Sequence, residues 1–238
     1  MKPIPNLVSI LIPLRNAEHT LTHTLESIKA QTLRDYEVIL IDDASTDQTL
    51  NLINAVSHRD ARFHVIALPT ERGIPVARSI GLDAARGQYV AFLNPEETWD
   101  TTKLFKQREA MKVENAGLTC TAYRTTKGRI HQIPHRITLS DLVLDNPIRL
   151  STVMIDRHVV GDLRLVPDDD QELILWNTLL QQAIPVIGLP EVLVTCVHPA
   201  ASTPLQSLKR RWYIATSICH LSLLEALKLM MHPKHPAR

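Results

Sequence analysis

Apolar residues along this chain come in two alternating textures: short runs rich in β-branched residues, and longer stretches in which they recur at every third or fourth position. Residues 8–12 (VSILI) form a first strand, with Pro13 as its stop because proline has no N–H to give a central ladder. Leu21, Leu25 and Ile28 then mark one face of a helix ending near Ala30. Residues 36–41 make a second strand that runs as VILI into Asp42 and Asp43. Ser45 and Thr46 cap a helix starting near Gln48 and carrying Leu50, Ile53 and Val56. A third strand covers residues 63–68 (FHVIAL). Ala77, Ile80, Gly81 and Ala84 give the next helix a face of small residues suited to close approach on a sheet, with Gly87 as its stop. Residues 88–93 are a strand leading into Asn94, Pro95, Glu96 and Glu97.

The second half is less regular. Leu104 and Met111 indicate a helix after Trp99, and residues 118–123 (LTCTAY) a strand. Residues 124–147 are loop-rich and basic, carry His131 and His135, and are the part expected to move or to cover a site. Strand character returns at 151–155. Asp168, Asp169 and Asp170 precede a helix bearing Leu173, Leu175, Trp176, Leu179 and Leu180. Two short strands, 184–189 and 192–198, flank Pro190, and Lys209, Arg210, Arg211 and Trp212 open one last long helix. Strands alternating with helices predict an α/β fold, a doubly wound and mostly parallel sheet flanked by helices with right-handed crossovers. The expected organisation is one catalytic domain over residues 1–204 and a C-terminal helical tail over 205–238.

Composition narrows the function classes. The formal net charge over 238 residues is +1, which removes any bulk electrostatic case for nucleic acid. Cys120, Cys196 and Cys219 each sit inside an apolar run with no close partner. That is the pattern of reduced thiols in a cytosolic setting, without structural zinc. The amino-terminal residues lack signal-peptide features. The apolar stretch 213–231 is broken by His220, Glu225 and Lys228, so it reads as a core or interfacial helix rather than a span. The expected location is therefore cytoplasmic.

Acidic side chains gather at three element ends beside the predicted carboxyl edge of the sheet: Asp42 with Asp43, Glu96 with Glu97, and Asp168 to Asp170. Carboxylates held that close call for a cation or for a base's task, and the pair ending the second strand is expected to face a cleft. For the third group a helix cap or a solvated turn stays open. Trp99 and Trp176 fall at apolar-periodic positions and read as core.

VSILIPLRNAEHTL, QTLRDYEVILIDDASTDQT and IPVARSIGLDAARGQYVAFLNPEETW, in this order and spacing, resemble the family 2 glycosyltransferases, which have the GT-A fold. TAYR, NPIRLSTVMIDR and DDDQELILW resemble the bacterial subgroup that builds surface polysaccharides of the teichuronic-acid and O-antigen kind. The resemblance implies an inverting transfer from a nucleotide-diphosphate sugar to a glycan or polyprenyl-diphosphate-linked acceptor, with a divalent cation, Mn or Mg. It puts Pro13, Arg15 and Asn16 at the nucleotide pocket, although the family commonly has an aromatic at Arg15, whose guanidinium plane can stack on a base. Asp43, with Asp42 beside it, matches the acid that hydrogen-bonds the base. Arg78 lies in the segment near the diphosphate, with Ser79 where the family has Asn.

Asn94-Pro95-Glu96 stands where the family has Asp-x-Asp. Glu96 is the implied metal ligand and Asn94 the contact to ribose or sugar, with weaker metal affinity expected from the lost charge. Asp169 and Asp170 match the Glu-Asp pair whose second acid is the base, so Asp170 carries that role and Asp169 is the competing assignment. His198 matches a His near metal or diphosphate. The basic and aromatic cluster Lys209 to Trp212 fits contact with anionic lipid at the inner membrane face, as a peripheral protein. A different class, a catalytically impaired homologue that binds a nucleotide sugar or a partner enzyme, is motivated by the Asn-Pro-Glu replacement. A nucleotidyltransferase fits less well, because no Gly-rich, Lys- or Arg-bearing loop lies between Pro13 and Thr20.

Overall fold

The computed structural model describes residues 2–168, 170–197 and 204–231, the side chains of 204–207 and 210 excepted. Four parallel strands, β1 (Ile4–Leu14), β2 (Tyr36–Asp42), β3 (Phe63–Ala67) and β4 (Gly87–Phe92), lie in the order β3-β2-β1-β4. They are joined through α1 (Leu21–Lys29), α2 (Thr49–Arg59) and α3 (Ile74–Ala84). Side chains alternate across the sheet. Ile10, Ile12, Val38 and Leu40 pack with Leu21, Leu25, Ile28 and Ile53 on one face. Leu11, Ile39, Ile41 and Phe92 pack with Ala77 and Leu82 on the other. Burial on both faces is why these strands read as unbroken apolar runs.

Pro13 does not stop β1. Leu11 turns its carbonyl to Leu93 on the β4 side and Leu14 turns its carbonyl to Asp43 on the β2 side, so alternation points Pro13 at β4. Pairing with β4 has already ended at Leu11 opposite Phe92, and the missing N–H costs nothing there. Gly81 is a close-approach residue, since a β-carbon on it would stand 2.6 Å from Ile41 Cδ1. Gly87 is not a helix stop. It begins β4, where a β-carbon would meet the Leu7 carbonyl at 2.6 Å, and α3 ends instead where Ala85 turns extended. No side chain caps α2 at its N-cap Gln48, contrary to the capping expected of Ser45 and Thr46; the Thr49 amide donates to Asp47.

The chain continues with β5 (Thr98–Trp99), α4 (Lys103–Glu114), β6 (Leu118–Thr125), the short β7 (Ile130–His131) and α5 (Leu139–Leu144). A 3-10 turn (Leu150–Thr152), β8 (Met154–Asp156), α6 (Arg157–Val160), α7 (Gln171–Gln181) and β9 (Val186–Cys196) follow. β8 runs antiparallel between β4 and β6, β9 lies parallel to β6, and β5 pairs antiparallel with β9. The sheet is therefore mixed, with its parallel character in β1–β4 and β6/β9. The strand expected at 151–155 is split between the 3-10 turn and β8. The two strands expected around Pro190 are one, because a bulge absorbs Pro190: Leu189 faces Thr121 and Val192 faces Ala122.

The last long helix is two, α8 (Pro204–Tyr213) and α9 (Leu223–Met231), separated by a π-turn (Ile214–Ile218) and by His220 at positive φ. Among the described residues no helix is long and apolar enough to cross a membrane. The three cysteines are buried and free. Trp99 and Trp176 are core.

Candidate active site

Register brings the carboxyl ends of three strands into line, with Leu14 opposite Asp42 and Leu11 opposite Phe92. Arg15, Asp43 and Asn94 therefore leave the sheet side by side, at the edge where open α/β sheets bind ligands. An open cleft of about 390 Å³ lies there. Its lining brings together Pro13, Arg15, Arg78, Asn94 and Glu96, which the sequence singled out, with Ile74, Glu97 and Val197, which it left without a role.

Asp42 and Asp43 do not stand open in that cleft. Both are 1% exposed; backbone amides bind both oxygens of Asp43 but only one of Asp42, whose Oδ1 is buried without a partner. Asp43 accepts from the Arg72 and Gly73 amides at 2.7 and 2.9 Å, and Asp42 from the Ser45 amide at 3.1 Å. Such bonds replace the water that an ionised carboxylate loses on burial. Asp43 thereby fixes the turn that launches α3, the helix bearing Arg78. Arg15 closes the same corner: its guanidinium donates to the Asp43 and Ala44 carbonyls at 2.5 and 3.0 Å and pairs with Glu71 at 2.7 Å. Both of its Nη groups thus have partners within the protein. Asn16 is a loop tie, accepting from the Thr46 amide at 2.8 Å while its own amide donates to Ser45.

The loop after β4 is held from two sides. Buried Thr24 of α1 bonds to the Pro95 and Glu97 carbonyls, each at 2.9 Å, and buried Ser151 accepts from the Asn94 amide at 3.1 Å. Within it, the Asn94 side chain bridges opposite charges, accepting from Arg78 at 3.4 Å and donating to Glu97 at 3.1 Å. An Asp at this position would set a second carboxylate against Glu97; the neutral amide donates to it instead. Glu97 is buried and also accepts from the Val197 amide at 3.3 Å, whereas Glu96 is exposed at the cleft.

Arg78 is the more buried of the two arginines that line the cleft. Burial pulls its pKa below the usual guanidinium value, opposed by the carboxylates of Glu172 and Glu97, and its buried Nε has no partner. An ion pair at 3.1 Å joins it to Glu172 in the first turn of α7. Two residues earlier, Asp170 occupies the N-cap of α7 without capping it, which removes the reading of that side chain as a helix cap. Its carboxylate accepts from the Tyr213 hydroxyl at 2.9 Å. Asp170 does not line the cleft; it is tied to it through Glu172 and Arg78. Asp169 and His198 lie outside the described residues.

Among the described residues no three His, Cys, Asp or Glu side chains gather to hold a metal. One exposed carboxylate in the cleft, Glu96, would give a hard divalent ion a single oxygen ligand. Glu172 and Tyr213 are the residues that sequence reading missed, and Glu97, grouped there with Glu96, had no role of its own. Glu172 lies beside acids that were singled out, at a position whose facing only the fold decides; nothing local marks Tyr213.

The family model "Glycosyl transferase family 2" matches residues 9–170. The TuaG protein of Bacillus subtilis, whose name assigns it to teichuronic acid biosynthesis as a glycosyltransferase, is 30% identical over 92% of this chain and 91% of its own. WfaP of Escherichia coli, named as a UDP-Glc:α-D-GlcNAc-diphosphoundecaprenol β-1,3-glucosyltransferase, is 32% identical over 75% of this chain and 72% of its own. Among solved structures, TarS residues 1–349 of S. aureus in complex with UDP-GlcNAc superposes with a TM-score of 0.70 at 20% identity, over 96% of this chain and 69% of that one.

Proposed function

The chain belongs to glycosyl transferase family 2, and from that premise we propose that it moves a sugar from a nucleotide-diphosphate sugar to a glycan or lipid-linked acceptor, with inversion, in bacterial surface polysaccharide assembly. The observation that carries this is the cleft at the strand ends, where Arg15, Arg78, Asn94 and Glu96 from three separate segments come together. Its size suits a nucleotide sugar's polar half. The names of the Bacillus and Escherichia relatives support the setting and a diphosphoundecaprenol-linked acceptor, and the UDP-GlcNAc complex supports a uridine nucleotide.

In this reading Asp43 and Arg15 shape the pocket for the base, with Pro13, Asn16 and Asp42 supporting the same loops. Arg78 takes the diphosphate; its unpartnered Nε is a donor waiting for an anionic oxygen. Asn94 contacts ribose or sugar, and Glu96 would hold a Mn or Mg ion, which supplies charge neutralisation to the leaving diphosphate when bound. Asp170 takes the proton of the acceptor hydroxyl as its oxygen attacks C1; the C1–O bond to the diphosphate breaks and that group leaves with the electron pair. Asp169 and His198 keep the supporting roles that the resemblance implies. Substituting Asp170→Asn should abolish acceptor-dependent UDP release while leaving UDP binding within about twofold. Turnover at the parental rate would remove Asp170 from this role.

The replacement of Asp-x-Asp by Asn94-Pro95-Glu96, with the Asn94 amide bound between Arg78 and Glu97, favours a second reading, a nucleotide-sugar-binding homologue of low activity. Calorimetry with UDP separates the two: Mn-enhanced binding supports the enzyme, and its absence supports the homologue. The acceptor side would be the cytoplasmic membrane face. Residues 204–238 hold six Lys or Arg against Glu225 alone, and Leu208, Lys209 and Trp212 lie exposed on α8, which suits peripheral contact with anionic lipid.

A further inference from the structure

An Asp at a helix N-cap ordinarily turns its carboxylate inward to accept from the second or third amide of the helix. Asp170 makes no such bond. Its Oδ2 reaches instead to the Tyr213 hydroxyl, 43 positions along the chain, at 2.9 Å. The backbone at Tyr213 is unusual in its own right: α8 ends there, and the next five residues wind as a π-turn. Such turns are rare and recur at functional sites, because the extra residue per turn re-aims the side chains beside it. Tyr213 is 44% exposed, so burial of its ring does not explain the contact.

Among the described residues the other charged groups at this corner offer Asp170 no alternative. Asp168 accepts from the Asp170 backbone amide at 2.7 Å and carries the same charge. Glu172 is paired with Arg78 at 3.1 Å. Among the described residues the Tyr213 hydroxyl is the one donor to the Asp170 carboxylate.

We propose that Tyr213 is a positioning residue for Asp170: its hydroxyl holds the carboxylate turned out from α7 toward α8, so that an arriving acceptor hydroxyl meets a base already aimed. This deepens the reading of Asp170 as the base and rests on it. It also gives α8 a part in the reaction, because the helix that carries the exposed Lys209 and Trp212 ends on the residue that holds the base. An acceptor approaching along α8 would arrive at Asp170 from the Tyr213 side.

Tyr213→Phe removes the hydroxyl and keeps the ring. Two readouts decide the proposal. The first needs no ligand: the titration midpoint of the Asp170 carboxyl carbon by NMR, assigned by its loss in Asp170→Asn, should rise when a donor to the charged form is removed. The second is the pH profile of UDP release from UDP-glucose in the presence of N-acetylglucosaminyl-diphosphoundecaprenol, or without acceptor as donor hydrolysis. Its acid limb should move up with the midpoint while the KM for UDP-glucose stays put. An unmoved midpoint, or a moved midpoint with an unmoved acid limb, overturns the proposal. Undiminished UDP release by Asp170→Asn overturns the underlying assignment of the base, which is a separate failure.

Discussion

Arg78 and Lys103 show how differently one buried cation can be used. Arg78 sits between two carboxylates and keeps a buried Nε without a partner. Replacing it by Ala removes the diphosphate's partner and leaves Glu172 and Glu97 to repel it, so calorimetry should show UDP binding weakened by about 10- to 100-fold. Arg78→Lys should recover part of that loss, because a point charge remains but the fork does not. Lys103 is fully buried, stands 4.0 Å over the Trp99 ring and has no hydrogen-bond partner for its Nζ. Burial holds its pKa well below the ordinary lysine value. The folded protein therefore holds that proton less readily than the unfolded chain does, and the Lys103 contribution to stability rises with pH up to the unfolded lysine value. Lys103→Met should raise stability at pH 7 by about 1 kcal/mol or more, and denaturant titrations from pH 7 to 10 should lose their upward slope.

At the scale of elements, strand and helix periods were legible wherever burial is regular, as in β1, β2, α1 and α3. They failed where a single residue is absorbed by a local device. Pro13 stays in a strand because its neighbour on that side has already ended, and Pro190 is taken up by a bulge that keeps β9 whole. Such devices depend on the partner strand, which one segment does not reveal. The same holds for the tail, where the apolar run through residues 213–231 conceals a π-turn and a break at His220. What emerges is an amphipathic pair. On α9, Leu223, Leu224, Leu227 and Met231 are exposed along one flank, beside a strongly basic sequence. Co-sedimentation with vesicles of phosphatidylglycerol should exceed that with phosphatidylcholine by about tenfold and fall with salt. Trp212→Ala with Lys209→Glu should remove most of the difference, and equal pelleting on both lipids would contradict lipid contact by α8.

For the whole molecule, the ordered motifs carried family and fold, because both rest on strand ends that parallel register brings together. The positions of charge within the site were less legible. Two acids expected in the cleft, Asp42 and Asp43, are buried and bound to backbone amides, while Glu97 and Glu172 complete the surroundings of Arg78. A sequence shows where carboxylates cluster but not which of them the fold has already neutralised. The account as a whole depends on one pocket receiving a sugar diphosphate. A crystal structure of the protein with UDP and Mn tests that most directly. The diphosphate is predicted between Arg78 and Glu96, with the uracil toward the Arg15–Asp43 corner. UDP bound elsewhere, or a diphosphate remote from Arg78, would contradict it.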